Sequence, residues 1–515
     1  MENKLLTDRA ALFIGDAAHV GDILAPDSVD AIVTDPPAGI GFMGAEWDSD
    51  KGGRDAWVAW LTDVMVNALR VLKPGGHALV WALPRTSHWT ATALENAGFE
   101  VRDIVMHLFG TGFPKSLDVS KAIDKLDANE ERRRRDLRFT AWMRSTGITS
   151  RQINTATGSN MGGHYLTDKE QPCVPTQEMF ATLRPLLPQV PEWVEQLVAE
   201  RTVESETFKR RPVVGERKAG INTGRGSTPF IVSNEANRFL TAPATDLARE
   251  WEGWGTALKP AAEHWILCRK PLSGTVATNV QQWRTGALNI DGCRIPTSDD
   301  RSRPDSGRKG GGGVYGESET YTNDSHAGGR WPANVTLDEH AAELLDAQSG
   351  VLTSGANPTR RGPTKTRNTY KDTFTGQESC NATRGEDSGG ASRFYYVAKP
   401  SRAERDAGCD DLPLRSGGEA TGRDDDSAGL SSPRAGAGRG GNVRNHHPTV
   451  KSIALMRWLC RLVTPPGGAV LDPFAGSGST GVAALAEGFE FVGVERDPDY
   501  AEIAAARLRH ALGVG

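Results

Sequence analysis

The chain has 515 residues, with 60 Lys and Arg against 65 Asp and Glu, which gives a formal net charge of −5. Such a length exceeds that of one simple domain, so we expect a main domain that carries large insertions. The charge balance lacks the basic excess typical of nucleic-acid binders, although a run of four arginines begins at Arg132 and a run of three aspartates at Asp424.

Cysteine usage and the apolar runs indicate the compartment. The six cysteines are widely spaced and form no C-x-x-C pair, which favours reduced thiols over a disulfide framework or a zinc site. The stretch MENKLLTDRA lacks the form of a signal peptide, and no apolar run reaches the length of a membrane span. We therefore expect a soluble cytoplasmic protein with no metal and no membrane partner.

The first quarter of the chain alternates between strand and helix patterns. Short apolar runs predict strands over 29–35, 77–83 and 100–110. Apolar residues at helical spacing predict helices over 57–76, which ends in Lys-Pro-Gly-Gly, and over 86–99. Strands that alternate with helices are typical of an α/β fold with a parallel sheet covered on both faces.

The middle of the chain is more heterogeneous. Residues 126–205 are charged and helical, and 261–272 predict one more buried strand. Residues 138–168 resemble short helices joined by a turn, with Thr149 and Ser159 as N-caps. Side chains that contact bases or phosphates occur there at Arg151, Gln152, Asn154 and Asn160. This segment is a candidate accessory DNA reader; the alternatives are a bundle that braces the core and an oligomer contact.

The α/β character returns after residue 446. A strand, a glycine turn and a helix follow one another over 469–488, and a second strand ends in acidic residues at 489–497. Gly476 and Gly478 let the turn approach a ligand closely at the carboxyl end of a strand. Glu495, about 20 residues further on, suits hydrogen bonds to ribose hydroxyls. Because the turn is not G-x-G-x-x-G, dinucleotide and nucleoside cofactors both remain open.

A second motif, Asp35-Pro36-Pro37, follows the predicted strand over 29–35. Pro37 restricts Pro36 to an extended conformation, which fixes the direction of the Pro36 carbonyl. Asp35 and that carbonyl can then accept both hydrogens of one exocyclic amine, which frees the nitrogen lone pair for attack on an electrophile. The alternative is that the two prolines merely end a strand.

Together the two motifs resemble the amino-group DNA methyltransferases, which use S-adenosylmethionine to methylate N6 of adenine or N4 of cytosine. Their marks are a D/N/S-P-P-aromatic tetrad and an F-x-G-x-G turn, found here as 35–38 and 474–478. The catalytic motif precedes the cofactor motif, as in the beta class, and further stretches are similar to phage-borne members. The resemblance implies a Rossmann-like α/β core with a mostly parallel, seven-stranded sheet and a circularly permuted motif order.

The resemblance also implies which residues form the site. The catalytic residues would be Asp35, Pro36, Pro37 and Ala38, with Phe42 nearby. The stretches FIGDAAHV and HPTVK are similar to cofactor-pocket elements of the family. The cofactor-binding residues would therefore be Asp16, Pro448, Thr449, Lys451, Asp472, Phe474, Gly476, Ser477, Gly478, Ser479, Thr480 and Glu495.

Ala38 departs from the family pattern, which has an aromatic residue, usually Tyr, to stack on the flipped base. Phe42 or Trp47, just downstream, could supply the aromatic face. Alternatively, the enzyme is slower or accepts a broader range of substrates. In a third reading, the chain is a catalytically degenerate DNA-binding relative.

The resemblance implies a site-specific methyltransferase of double-stranded DNA, with adenine N6 favoured because the motif begins with Asp. Cytosine N4 is the alternative target. Two other functions also remain open: a methyltransferase of structured RNA and a nucleotide-dependent oxidoreductase. A restriction-modification role in a bacterium or phage-infected host follows from resemblance, and a homodimer remains open. The predicted segments are a catalytic half (1–125), a helical insert (126–205), a return to the core (206–295), a target-recognition region (296–445) and a cofactor half (446–515).

Overall fold

The computed structural model describes most of the chain. The described residues are 1–41, 46–112, 116–158, 161–166, 172–209, 213–216, 239–241, 243, 246–297, 328–354, 387–399, 402–416 and 443–514. Phe42, Ser159 and Asn160, which the sequence analysis singled out, lie outside the described residues, as does most of the predicted target-recognition region.

The strands and helices alternate through much of the chain. The strands are β1 Glu2–Leu6, β2 Ala10–Ile14, β3 Val29–Thr34, β4 Leu72–Ala82, β5 Glu100–Leu108, β6 Val213–Glu216, β7 Phe239–Thr241, β8 Ala262–Arg269, β9 Val335–Asp338, β10 Leu352–Ser354, β11 Asp387–Gly389, β12 Tyr396–Ala398, β13 Ala469–Asp472 and β14 Glu490–Glu495. The helices are α1 Val20–Ile23, α2 Arg54–Val71, α3 Ser87–Asn96, α4 Val119–Ser145, α5 Ser150–Thr157, α6 Gly162–Leu166, α7 Gln177–Leu183, α8 Glu192–Lys209, α9 Asp246–Glu250, α10 Val276–Trp283, α11 Glu339–Ser349, α12 Ile453–Val463, α13 Ser479–Ala486 and α14 Pro498–Leu512.

One large sheet organises the fold, with the strand order β1-β2-β14-β13-β3-β4-β8-β5-β9-β12. Eight strands run in one direction, whereas β1 and β8 run in the other. The expected mostly parallel α/β sheet is confirmed, but the count of seven strands is wrong. The sheet has ten strands because β1 folds back on β2 at one edge, while β9 and β12 extend the other edge beyond β5.

Apolar layers cover both faces of this sheet, as expected for parallel strands. Successive side chains of a strand point to opposite faces, so Val33 packs in the layer that contains α12 and α13, whereas Ile32 packs in the layer that contains α2 and α3. Both side chains are fully buried. No helix in the described ranges is long and apolar enough to cross a membrane.

The described residues separate into two compact units. The first contains the large sheet and comprises the described residues of 1–112, 261–430 and 435–515; the second comprises those of 113–260. The second unit has its own apolar core, which includes Phe139, Ile153 and Phe180. The predicted N-cap at Thr149 is confirmed, since Thr149 and Gln152 form a reciprocal capping box at the start of α5.

The strand order brings distant motifs to one edge of the sheet. In the first unit, β2, β14, β13 and β3 are consecutive parallel neighbours, so their carboxyl ends lie side by side. Asp16 follows β2, Asp35 follows β3, the glycine turn follows β13 and Glu495 ends β14. Because β8 is antiparallel, its first residues reach this same edge.

Close packing at Gly481 gives a test of the helix that follows the glycine turn. A Cβ on Gly481 in α13 would lie 2.6 Å from both the Phe491 ring and the Leu508 side chain. We predict that Gly481→Ala lowers the free energy of unfolding by about 1–3 kcal/mol, although Ala favours helices, because the core is overpacked. Thermal unfolding measures this. Gly163→Ala is the control, since no described atom lies within 4 Å of a Cβ there; an equal fall in both variants would contradict the packing argument.

Candidate active site

A cavity of about 460 Å³ opens at the carboxyl edge of the sheet, where the two sequence motifs meet. The predicted residues that line it are Asp16, Asp35, Pro37, Thr449, Lys451, Asp472, Phe474, Gly476, Ser477, Ser479, Thr480 and Glu495. Four other predicted residues lie close in sequence but are not among its described lining: Pro36, Ala38, Pro448 and Gly478. Trp47, the alternative aromatic, does line the cavity.

The glycine turn between β13 and α13 needs its glycines. Gly476 and Gly478 have φ angles of +52° and +74°, in the left-handed region that other residues rarely adopt. A Cβ on Gly476 would lie 2.8 Å from Nε2 of His447, and one on Gly478 would lie 3.1 Å from Cα of Ala504. The turn therefore passes through a space that only a bare backbone fits.

Glu495 braces this turn from the neighbouring strand. Its Oε2 accepts a hydrogen bond of 2.7 Å from the Gly476 N–H, and its Oε1 accepts one of 2.8 Å from the Asp497 N–H. Burial raises the pKa of Glu495, although the two backbone donors oppose that rise. Each carboxylate oxygen thus holds backbone, and each can still accept a further hydrogen bond from the cavity.

Asp472 joins the end of β13 to the end of β3. Its Oδ1 accepts hydrogen bonds from the Thr34 hydroxyl at 2.6 Å and from the Phe474 N–H at 3.1 Å. Burial raises the pKa of Asp472 to about 6. The two motif-bearing strands are therefore linked directly by a buried polar contact.

Arg507 is a site residue that the sequence analysis missed. Its side chain, on α14, is buried and donates through Nη1 to the Ser477 carbonyl at 2.6 Å and to the Ser477 and Ser479 hydroxyls at 3.1 Å. In the sequence it is one arginine in an amphipathic helix pattern, where an exposed position is the usual expectation. No local signal marks it, because its partners are 28 and 30 residues away along the chain.

Lys451 lies at the catalytic motif as well as in the cavity lining. Its Nζ is 3.4 Å from Oδ2 of Asp35 and 3.5 Å from Oε2 of Glu263. The same nitrogen lies 4.1 Å from the centroid of the Trp81 ring. The sequence analysis placed Lys451 with the cofactor and did not single out Glu263, whose strand reaches this edge only through its antiparallel direction in the sheet.

These three charged groups perturb one another. Burial raises the pKa of Asp35 to about 7, although the Lys451 ammonium opposes the rise. Burial alone would also raise the pKa of Glu263, but Lys451, Trp81 and His107 together reverse this, and the net direction is downward. Burial would lower the pKa of Lys451, yet the two carboxylates raise it. A carboxylate that titrates near neutral pH is suited to exchange a proton at the reaction site.

Two side chains from outside the motif hold the backbone of the loop that follows the proline pair. The Ala38 carbonyl accepts a hydrogen bond of 3.1 Å from the Thr86 hydroxyl. Oδ1 of the buried Asp48 accepts one of 2.9 Å from the Gly39 N–H. Gly39 has a φ of +70°, and a Cβ there would lie 2.6 Å from Nε1 of Trp57. These contacts hold the backbone at Ala38 and Gly39, so its conformation does not depend on an aromatic side chain at position 38.

The raised pKa of Asp35 predicts a pH-dependent cost in stability. Folding raises this pKa from 3.8 to about 7, so between about pH 4 and pH 7 the unfolded chain loses a proton that the folded protein keeps. We predict that the wild type loses stability relative to Asp35→Asn as the pH rises through this window. Denaturant unfolding of both proteins from about pH 3.5 to about pH 8 measures the difference, and a difference that does not vary with pH would contradict the assignment.

Comparisons with known proteins agree with the geometry. The family model of the N6/N4 DNA methylases matches residues 29–114 and 363–506. The DNA adenine methyltransferase YhdJ of Escherichia coli (strain K12) is 43% identical over 63 residues, which are 12% of this chain and 21% of YhdJ. The putative methylase YubD of the same strain is 46% identical over 63 residues, which are 12% of this chain and 28% of YubD. The chain thus spans less than a third of either relative.

A solved structure also matches over most of the chain. The PvuII DNA methyltransferase (cytosine-N4-specific) matches with a TM-score of 0.36 and 11% identity, over 98% of this chain and 88% of that one. The two sequence motifs fall within the matched ranges of the family model and meet at one edge of the sheet. The family model and the motifs thus show that residues 29–114 and 363–506 are similar to the N6/N4 DNA methylases.

Proposed function

We propose that the protein transfers a methyl group from S-adenosylmethionine to the exocyclic amino group of a base in double-stranded DNA, with adenine N6 as the favoured target. The observation that carries this proposal is the shared cavity of the Asp35 motif and the glycine turn. An amine held at Asp35 and a nucleoside cofactor held at the turn would therefore meet in one cavity.

The residues present fit S-adenosylmethionine. The bare backbone at Gly476 leaves a cradle that a Cβ would fill, and Glu495 and Asp16 offer carboxylates from the two neighbouring strand ends. Glu495 would accept hydrogen bonds from the ribose hydroxyls, Asp16 would lie near the adenine, and Phe474 would supply an apolar wall. When bound, the cofactor supplies a methyl group on a positively charged sulfur, which an amine can attack.

The catalytic motif would prepare the amine. Asp35 and the Pro36 carbonyl would accept its two hydrogens, so that the nitrogen lone pair is no longer delocalised into the base. Once the nitrogen carries the methyl group, it is positively charged and must lose one proton to become neutral. The Asp35 carboxylate, whose pKa burial raises to about 7, is placed to accept that proton.

Ala38 leaves the base without the usual stacking partner, and Trp47 is our candidate for that role. Trp47 lines the cavity, and base stacking on an aromatic ring contributes about 1–3 kcal/mol. Cytosine N4 methylation would use the same carboxylate and carbonyl. The adenine preference rests on the Asp at the start of the motif, whereas the cavity itself favours neither base.

The direct test is methyl transfer to DNA. Labelled methyl from S-adenosylmethionine should appear in unmethylated duplex DNA as N6-methyladenine, identified by nucleoside mass spectrometry. We predict that Asp35→Ala loses roughly a hundredfold or more of this activity, because the amine loses its positioned acceptor. Asp103→Ala, an exposed carboxylate on β5 outside the cavity lining, is the control and should keep full activity.

The alternatives give different products. N4-methylcytosine would keep the mechanism and change the base. If the protein methylated RNA in preference to DNA, its substrate would be a structured RNA. Cofactor binding without any methylated nucleoside would identify a degenerate relative that has lost transfer with the aromatic residue at position 38, and the proposed activity would be wrong.

The cofactor assignment has its own test in the glycine turn. We predict that Gly476→Ala weakens S-adenosylmethionine binding about tenfold or more, because the new Cβ would push His447 away from the turn. Isothermal titration calorimetry measures the dissociation constant. Gly467→Ala is a matched control: Gly467 also has a positive φ, of +69°, but no described atom lies within 4 Å of a Cβ there. If cofactor binding weakened equally in both variants, the cause would be backbone strain at a positive φ and not a contact in the glycine turn.

A further inference from the structure

Glu263 has no role in the mechanism above, although it lies beside the catalytic carboxylate. It is the second residue of β8, and β8 runs antiparallel between β4 and β5. An antiparallel strand brings its first residues to the edge where its neighbours end. Glu263 therefore reaches the carboxyl edge that holds Asp35, although the two residues are far apart in the sequence.

One ammonium serves both carboxylates. Nζ of Lys451 lies 3.4 Å from Asp35 and 3.5 Å from Glu263, so neither carboxylate has the cation to itself. The Lys451 side chain is only 14% exposed, and the Trp81 ring lies against its ammonium on another side. Water therefore screens these charges poorly, and their interactions are stronger than at an open surface.

Two other ionisable groups face this trio from neighbouring strands. Asp472 faces Asp35 from the end of β13 and adds a further negative charge. His107 lies directly opposite Glu263 on β5, and its Nδ1 is 3.0 Å from the Thr336 hydroxyl. Burial lowers the pKa of His107, although the Glu263 and Asp338 carboxylates oppose this fall. Among the described residues, Lys451 is the cation that forms ion pairs with both Asp35 and Glu263.

We infer that Glu263 is a positioning residue of the methyl-transfer site: it shares the Lys451 ammonium with Asp35 and so sets the charge on the Asp35 carboxylate. This inference rests on the proposed function for its catalytic consequence. Glu263 acts through Lys451 and by its own negative charge, and it need not touch the base. The arrangement keeps Asp35 close to the balance between its ionised and protonated forms.

The inference predicts opposite effects of removing the two partners. Glu263→Gln removes a repelling charge and leaves the whole ammonium to Asp35, so the pKa of Asp35 falls. Lys451→Met removes the stabilising cation, so that pKa rises. Because methyl transfer requires the ionised carboxylate, the acid limb of the rate profile should move to lower pH in Glu263→Gln and to higher pH in Lys451→Met, each by about one pH unit.

The experiment is kcat/KM for duplex DNA at saturating S-adenosylmethionine from about pH 5 to about pH 9, on the full chain. Two variants that remove the same charges elsewhere are controls. Glu100→Gln breaks an ion pair with Arg269 at the opposite end of the β5–β8 pair, and Lys73→Met breaks one with Asp30 at the opposite end of β3. Both should leave the acid limb in place, whereas a purely structural role for Glu263 would lower the rate equally at every pH.

A second measurement keeps the test independent of activity and of the folding of Lys451→Met. The difference in unfolding free energy between the wild type and Asp35→Asn, followed against pH, reports the titration of Asp35. The same comparison in proteins that also carry Glu263→Gln reports this titration without the Glu263 carboxylate, and its midpoint should lie at lower pH. An unmoved midpoint would overturn the inference, even if the wild type methylates DNA. If the wild type transfers no methyl but the midpoint moves, the proposed function fails and the charge sharing stands.

Discussion

A buried hydrogen bond, 2.6 Å long, from the Thr34 hydroxyl to the Asp472 carboxylate joins the two strands on which the site depends. β3 delivers Asp35 one residue beyond Thr34, and β13 delivers the glycine turn directly after Asp472. Their parallel pairing fixes the distance between the two motifs. Since an unsatisfied buried carboxylate is costly, this contact also resists any separation of the two strand ends.

Several polar side chains around the cavity hold its backbone in uncommon conformations. Glu495 and Arg507 form hydrogen bonds with the backbone of the glycine turn. Asp48 forms one with the backbone of the loop after the proline pair. Such preorganisation costs stability at the site but spares reorganisation when ligands bind. The raised pKa of Asp35 is one measure of that cost.

The same edge combines two kinds of control over reactivity. In the proposed function, an amine acceptor and a nucleoside cradle share one cavity, and the shared ammonium of Lys451 adjusts the charge of the acceptor. Ala38 lacks the aromatic ring of the family pattern, yet the hydrogen bond to its carbonyl holds the motif backbone. Under the proposed function, positioning of the amine and stacking of the base would therefore depend on different residues.

The sequence by itself determined the local chemistry: the proline pair that fixes the backbone after Asp35, the glycines of the turn, and the strand–helix alternation that requires a sheet covered on both faces. These depend on steric and periodic properties of neighbouring residues, which a sequence displays. The tertiary structure alone decided the ten-strand order, the antiparallel β8 and the contacts of Glu263 and Arg507. Those contacts join residues that are far apart along the chain, and no local pattern encodes which strand ends meet, because strand pairing is settled by the packing of the whole core.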